Sequence, residues 1–150
     1  MSRLELSPEQ LYGDAGRMVV AARSRELFAH AGAVLDLDQP ERVHKMRVAT
    51  RRLRAGLEVF AQALDRRRVR GALSEVKALA AALGERRDCD VQLELLASLR
   101  RDAGRGERLA IDALREQFRD EQRQANARLA AALAHVQQAK LEKQLGRLAR

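Results

Sequence analysis

The sequence has little of what a secreted, membrane-spanning or strand-rich protein needs. Its 150 residues include one cysteine, two prolines, no tryptophan, one tyrosine and three phenylalanines. A single cysteine excludes an intrachain disulfide and is consistent with a reducing compartment. The longest apolar run, ALAAALG at 78–84, is far shorter than the roughly 20 residues of a membrane span. The first ten residues include acids and no apolar run, which argues against a secretory signal, so we expect a soluble, cytoplasmic protein.

The composition favours helices throughout. Hydrophobic residues make up 46% and charged residues 33% of the chain, which is typical of a folded protein and not of a disordered one. Apolar residues recur in steps of three and four, and no strand alternation occurs. The sequence therefore predicts an all-α fold, one domain over residues 1–150 built as an antiparallel bundle of four to six helices with a basic groove. The predicted helices cover about 10–35, 39–65, 66–84, a segment following Gly84, and 107 to the end, as one helix or two.

Several residues mark the predicted helix ends. Asp38 is suited to cap the second helix, and Pro40 suits its first turn, where a missing N–H costs nothing. Gly84 is a natural C-terminal stop for the third helix. Asp88 or Asp90 is then expected to cap the fourth.

The charge of the chain is strongly basic. Lysine and arginine number 29 against 21 acids, a formal net charge of +8. Such an excess attracts polyanions: nucleic acid, an anionic membrane surface or a phosphate chain. The few aromatic rings argue against single-stranded nucleic acid, which is usually held by base stacking.

The segment VHKMRVATRRLR, residues 43–54, concentrates this charge. It holds a histidine, a lysine and four arginines, and no acid lies between Glu41 and Glu58. Four of the cations each follow a residue of the apolar seam by one position, which predicts a cationic stripe about 15 Å long beside the buried face. Lys45 and Arg52 are expected to point elsewhere. The stripe consists of His44, Arg47, Arg51 and Arg54.

The third helix repeats this arrangement, since Arg70 follows Val69 and Lys77 follows Val76. If the second and third helices are antiparallel neighbours, two basic shoulders face one groove that suits a linear polyanion, because guanidinium groups bind phosphate oxygens in pairs. Pairing with glutamates of a neighbouring helix is the structural alternative, favoured for a single arginine but not for the set. Near the C-terminus, cations spaced by three and four are expected to extend the basic surface: Lys140, Lys143 and Arg147.

Two segments resemble the CHAD family, the conserved-histidine α-helical domain: ERVHKMRVATRRLRAGLEVF at 41–60 and LGERRDCDVQLELL at 83–96. The resemblance implies paired helical bundles around a basic channel, binding of inorganic polyphosphate, association with polyphosphate granules, and no catalysis by the domain. No cofactor is expected, and no metal site, since no second His or Cys lies at helical spacing from His44. The basic positions of the motifs are His44, Lys45, Arg47, Arg51, Arg52, Arg54 and Arg87.

The chain departs from the family pattern in containing one copy of the usual two, without the adjoining triphosphate-processing domain. A homodimer is therefore expected to rebuild the two-fold arrangement. A nucleic-acid-binding or nucleoid-associated protein is the main alternative. A phosphate-handling enzyme would need acidic Mg²⁺ ligands, for which only Asp88 and Asp90 are available, and Cys89 is expected to be a spectator thiol.

Overall fold

The computed structural model describes residues 11–150 and places five helices there. The predicted all-α bundle is confirmed: no strand occurs in these 140 residues, and none of their helices is long and apolar enough to cross a bilayer. The expectation of no secretory signal concerns residues 1–10, which lie outside the described part. The helices are α1 (Tyr12–Ala29), α2 (Pro40–Val59), α3 (Arg66–Asp102), α4 (Arg105–Gln138) and α5 (Leu141–Leu148).

Short connections make consecutive helices neighbours, so α1 packs on α2, α2 on α3, and α3 on α4. Helix α5 closes the end of the bundle against α1, α3 and α4. Most of the predicted seam of α2 is its buried face: Val43, Met46, Thr50, Leu53 and Leu57 are each at most 1% exposed. The last two seam residues, Phe60 and Leu64, lie after α2, which ends at Val59 and not near residue 65. Because this seam faces the core, the cations of α2 are left on its two flanks.

The connection between α1 and α2 differs from its prediction. Helix α1 ends at Ala29 and not near residue 35, and Ala33 has a φ of 56°. The carboxylate of Asp36 accepts a hydrogen bond of 2.9 Å from the backbone N–H of Asp38. Asp38 is therefore inside a turn, and Gln39 precedes α2 without a side-chain cap. Pro40 lies in the first turn of α2 as predicted.

The predicted break at Gly84 is wrong, because α3 is one helix of 37 residues. No glycine among the described residues has a positive φ, and Leu83, Arg86 and Asp90 are all buried along this stretch of α3. Their burial keeps the helix continuous, so neither Asp88 nor Asp90 is a cap. The final segment, left open as one helix or two, is two helices divided at Lys140, whose φ is 54°.

The continuity of α3 predicts the sign of a stability change. Gly84→Ala is expected to raise the free energy of unfolding by about 0.5–1 kcal/mol, because alanine loses less entropy in a helix interior and nothing lies within 4 Å of the added Cβ. Urea denaturation measures the effect. Gly56→Ala is the contrasting control: its Cβ would lie 2.9 Å from Cγ1 of Val19, so it should destabilise. A Gly84→Ala protein with a lower free energy of unfolding would instead support a helix end at Gly84.

Candidate functional site

Two ion pairs between helices show which way the flanks of α2 face. Oε1 of Glu58 lies 3.7 Å from Nζ of Lys77 on α3, and Nη1 of Arg52 lies 2.6 Å from Oε1 of Glu26 on α1. At 100° per residue, Arg47 and Arg51 are each within about 20° of Glu58 around the helix. They therefore share the flank that faces α3, whereas Arg52 is on the flank that faces α1.

The α3-facing flank carries the least compensated charge of the site. Arg47, Arg51 and Arg54 are all exposed. Arg54 lies 3.6 Å from Glu58, but within residues 11–150 no carboxylate lies within salt-bridge distance of Arg47 or Arg51. Two guanidinium groups one turn apart with no acidic partner create a positive potential that an external anion can neutralise.

The α1-facing flank forms one side of an open cleft of about 760 Å³. His44, Lys45 and Arg52 line it together. His44 is also within about 20° of Arg51 around α2, so it lies at the edge between the two flanks. The cleft is lined by Ala22, Arg25, Glu26, Ala29, His30, Glu41, His44, Lys45, Val48 and Arg52.

Glu26 compensates part of the positive charge in this cleft. Partial burial alone would raise its pKa, but hydrogen bonds from Arg23 and Arg52 and their charges lower the pKa of Glu26 below its ordinary value. The carboxylate is therefore ionised at neutral pH and holds Arg52 at 2.6 Å. Arg52 has a structural partner, and Lys45, which has no carboxylate within 4 Å in the described chain, is the more available cation.

Arg25 on α1 and His30, the residue that follows the last turn of α1, are residues that the sequence analysis did not assign to the site. Both line the α1–α2 cleft opposite the cations of α2. Neither belongs to a motif, and their proximity depends on how α1 packs against α2. Only the pairing of the two helices identifies them.

The cations of α3 have different environments. Arg70 is exposed. Lys77 approaches Glu58, so α2 and α3 do face each other there. Arg87, the motif arginine, is 18% exposed and lies 3.1 Å from Glu94 on its own helix, which leaves it partly neutralised.

The three C-terminal cations are not all on one helix face. Lys140 precedes α5 in the left-handed conformation, so helical spacing does not apply to it. Lys140 and Lys143 line a cleft of about 480 Å³ with Phe28 and Val136. Arg147 lines a different cleft, with Arg67 and Arg68 at the start of α3. The two sets are separate from the cleft that His44 lines.

The segment LGERRDCDV contributes a buried network in place of helix caps. Arg86 is fully buried and donates a hydrogen bond of 3.1 Å to Asp90, and Gln122 of α4 donates one of 2.6 Å to the same carboxylate. Burial raises the pKa of Asp90, and the hydrogen bond from Gln122 and the charge of Arg86 oppose the rise. The network joins α3 to α4 and makes Asp90 a structural residue.

Cys89 lies in the middle of α3 and not at a helix start. Burial raises the pKa of its thiol, and the charge of Glu121 adds to the effect. A raised pKa reduces the thiolate fraction at neutral pH, which makes the residue less reactive.

The comparison with protein families identifies one match: a family model described as the CHAD domain fits residues 19–150. No curated protein and no solved structure matches the chain. Both segments quoted above, with the cationic flanks of α2 and the buried network of α3, lie inside the matched range.

Proposed function

Since this chain belongs to the CHAD family, a family of polyphosphate-binding domains, we propose that it binds inorganic polyphosphate without catalysing a reaction, through the cationic surface of α2. The observation that carries the proposal is the pair Arg47 and Arg51, exposed and without a carboxylate partner among residues 11–150. Such a pair is available to an external anion, whereas twelve of the other arginines in residues 11–150 have a carboxylate within 4 Å.

The chemistry of the ligand fits this surface. Polyphosphate presents repeated negative groups without base edges, and arginine binds phosphate oxygens through two parallel N–H groups while keeping its charge. The α3-facing flank offers Arg47, Arg51 and Arg54 along two turns of α2, and Arg70 and Arg87 on α3 add to the potential. Glu58 is close to both Arg54 and Lys77 and weakens the positive potential at the C-terminal end of α2. We therefore place the main contacts toward the start of α2.

The α1-facing cleft extends the same surface. His44 and Lys45 line it beside Arg25 and His30, so a bent phosphate chain passing over α2 meets cations on both flanks. Lys140 and Lys143 line another cleft, and we assign them a contribution to the long-range field and no direct contact. The location that suits this function is the cytoplasm, on polyphosphate granules.

We further propose that the chain acts as a homodimer, because the single copy of the bundle provides one set of motif cations where the family pattern has two. Isologous pairing places the same surface of each copy about a two-fold axis. The two cationic surfaces of one dimer then bind one long polyphosphate, and the second contact is favoured by a high effective concentration once the first has formed.

The experiment is a calorimetric titration with long-chain polyphosphate at near-physiological salt, repeated with duplex DNA as competitor. We expect tight binding that equimolar DNA phosphate does not displace. Salt dependence alone does not separate the two ligands, because both release counterions. Binding that DNA readily displaces would favour the nucleic-acid reading, and absence of binding to either would refute the proposal.

A further inference from the structure

We infer that the outer part of the α3–α4 hairpin, residues 91–121, is the surface through which two copies of this chain associate. We call this segment the arm. The inference rests on the proposed homodimer and names its interface. Within the arm, Leu96 is the one buried residue, whereas α3 has eight buried residues before it. Two helices with a single buried side chain between them lack the core that such elements normally share.

The arm begins at the level of the N-terminal end of α2. Glu58 contacts Lys77, and α2 and α3 run in opposite directions. His44 lies fourteen residues before Glu58, and Val91 lies fourteen residues after Lys77, so equal helical rise places them at the same level. Helix α2 begins at Pro40, one turn further. Beyond this level, α4 is the only described helix beside α3.

An apolar stripe runs along the uncovered side of the arm. Val91, Leu95 and Leu99 are 42%, 51% and 52% exposed, and spacing by four places them on successive turns of one face. Two leucines of α4 add to the exposed apolar surface, Leu109 at 74% and Leu114 at 40%. A row of this kind on a soluble helix marks a surface that associates.

The charge of the arm identifies the occupant as a second copy. The arm has six arginines and seven acids, a net charge of −1, whereas the whole chain has +8, so the remainder has +9. Two bodies of +9 repel each other. The arm is the part of the chain with almost no net charge, and two arms are able to approach without that repulsion. Their two-helix hairpins then complete a four-helix bundle.

The arm is also built to present this stripe as a unit. Arg100 donates two hydrogen bonds, of 2.7 and 2.9 Å, to the carboxylate of Asp112 across the hairpin. Near the turn, the carboxylate of Glu107 accepts a hydrogen bond of 2.7 Å from the backbone N–H of Gly104. These contacts fix α3 against α4 without covering the leucines.

Sedimentation velocity of the full chain, without polyphosphate, tests the interface. We expect a dimer at tens of micromolar, and a monomer with unchanged helical circular dichroism for Leu95→Glu/Leu99→Glu. Ser74→Glu/Ala78→Glu is the matched control, since it places the same charges at the same spacing on the exposed body of α3, and it should remain dimeric. A monomeric wild-type protein, a dimeric Leu95→Glu/Leu99→Glu variant, or a monomeric control would each overturn the inference.

A disulfide provides a second measurement on a protein with an unaltered charge. In a Cys89→Ser background, Leu95→Cys is expected to form an intermolecular disulfide in mild oxidant, because a two-fold axis near the centre of the stripe brings the two thiols together. Ser74→Cys should not. Equal cross-linking of both would contradict the arm contact. Neither experiment contains polyphosphate, so failure of the interface and failure of the proposed ligand are distinguishable.

Discussion

Reversing the charge of Arg47 and Arg51 together lowers the affinity for long-chain polyphosphate by about a hundredfold or more, because two charge-assisted contacts are lost and two repulsions replace them. Both side chains are exposed and have no carboxylate partner among the described residues, so no contact that stabilises the fold is removed. Calorimetric titration of Arg47→Glu/Arg51→Glu at near-physiological salt measures the change, and circular dichroism checks that the helices remain.

The control separates a local site from the overall charge of the chain. Arg66→Glu/Arg67→Glu changes the net charge by the same amount at the start of α3, outside the arm and away from Arg47 and Arg51, where both arginines are exposed. We expect its affinity to fall by no more than about threefold through the long-range field. Comparable losses in the two double variants would show that polyphosphate responds to net charge alone, and retained affinity in a folded Arg47→Glu/Arg51→Glu protein would remove this flank from the site.

The sequence predicted the buried faces better than the helix ends. The seam of α2 follows from its steps of three and four, and five of its seven predicted residues are buried within the helix. The last two, Phe60 and Leu64, lie after the helix end and are only partly buried. The helix C-terminus predicted at Gly84 is wrong, because a glycine signals a helix end only where the backbone turns left-handed. Here Leu83, Arg86 and Asp90 keep the helix packed on both sides of Gly84, and tertiary burial outweighs a local preference of about 1 kcal/mol.

The candidate site was predictable on α2 and not between helices. Charge spacing placed Arg47 and Arg51 beside the seam, since both positions depend on one helix. It also grouped His44 with them, but it did not predict that the packing of α1 makes His44 line a cleft with Lys45. His30 had no local signal at all, because its role depends on a neighbour distant in the sequence.

Arg86 shows the same limit in the core. The sequence predicted a helix end at Gly84 and a cap at Asp88 or Asp90 on either side of this arginine. The guanidinium of Arg86 is instead 0% exposed and pairs with Asp90 at 3.1 Å. Its Nε and Nη2 atoms are buried and have no hydrogen-bond partner in the described part of the chain. Burial lowers the pKa of Arg86, and the charge of Asp90 opposes that change. The pair is therefore interdependent: each charge makes burial of the other tolerable.

Removing one member of this pair is expected to have the largest effect on stability of any single substitution considered. Asp90→Leu leaves the Arg86 guanidinium buried without a counter-charge and the amide of Gln122 without its acceptor, which costs about 3–5 kcal/mol of the free energy of unfolding. Urea denaturation of the variant measures the loss. Glu85→Gln is the matched control, because Glu85 forms an α3–α4 ion pair with Arg128 that is about half exposed, and its loss should cost about 0–1 kcal/mol.

The triple variant Arg86→Met/Asp90→Leu/Gln122→Leu distinguishes the two explanations of such a loss. If the cost comes from an uncompensated buried charge, apolar side chains of similar size remove the charge and its partners together and restore most of the stability. If the network is itself a net source of stability, the triple variant stays as unstable as Asp90→Leu. We expect restoration, because desolvation of the guanidinium is the largest influence on its pKa, and an Asp90→Leu loss under about 1 kcal/mol would show that Arg86 is not held in the interior by Asp90.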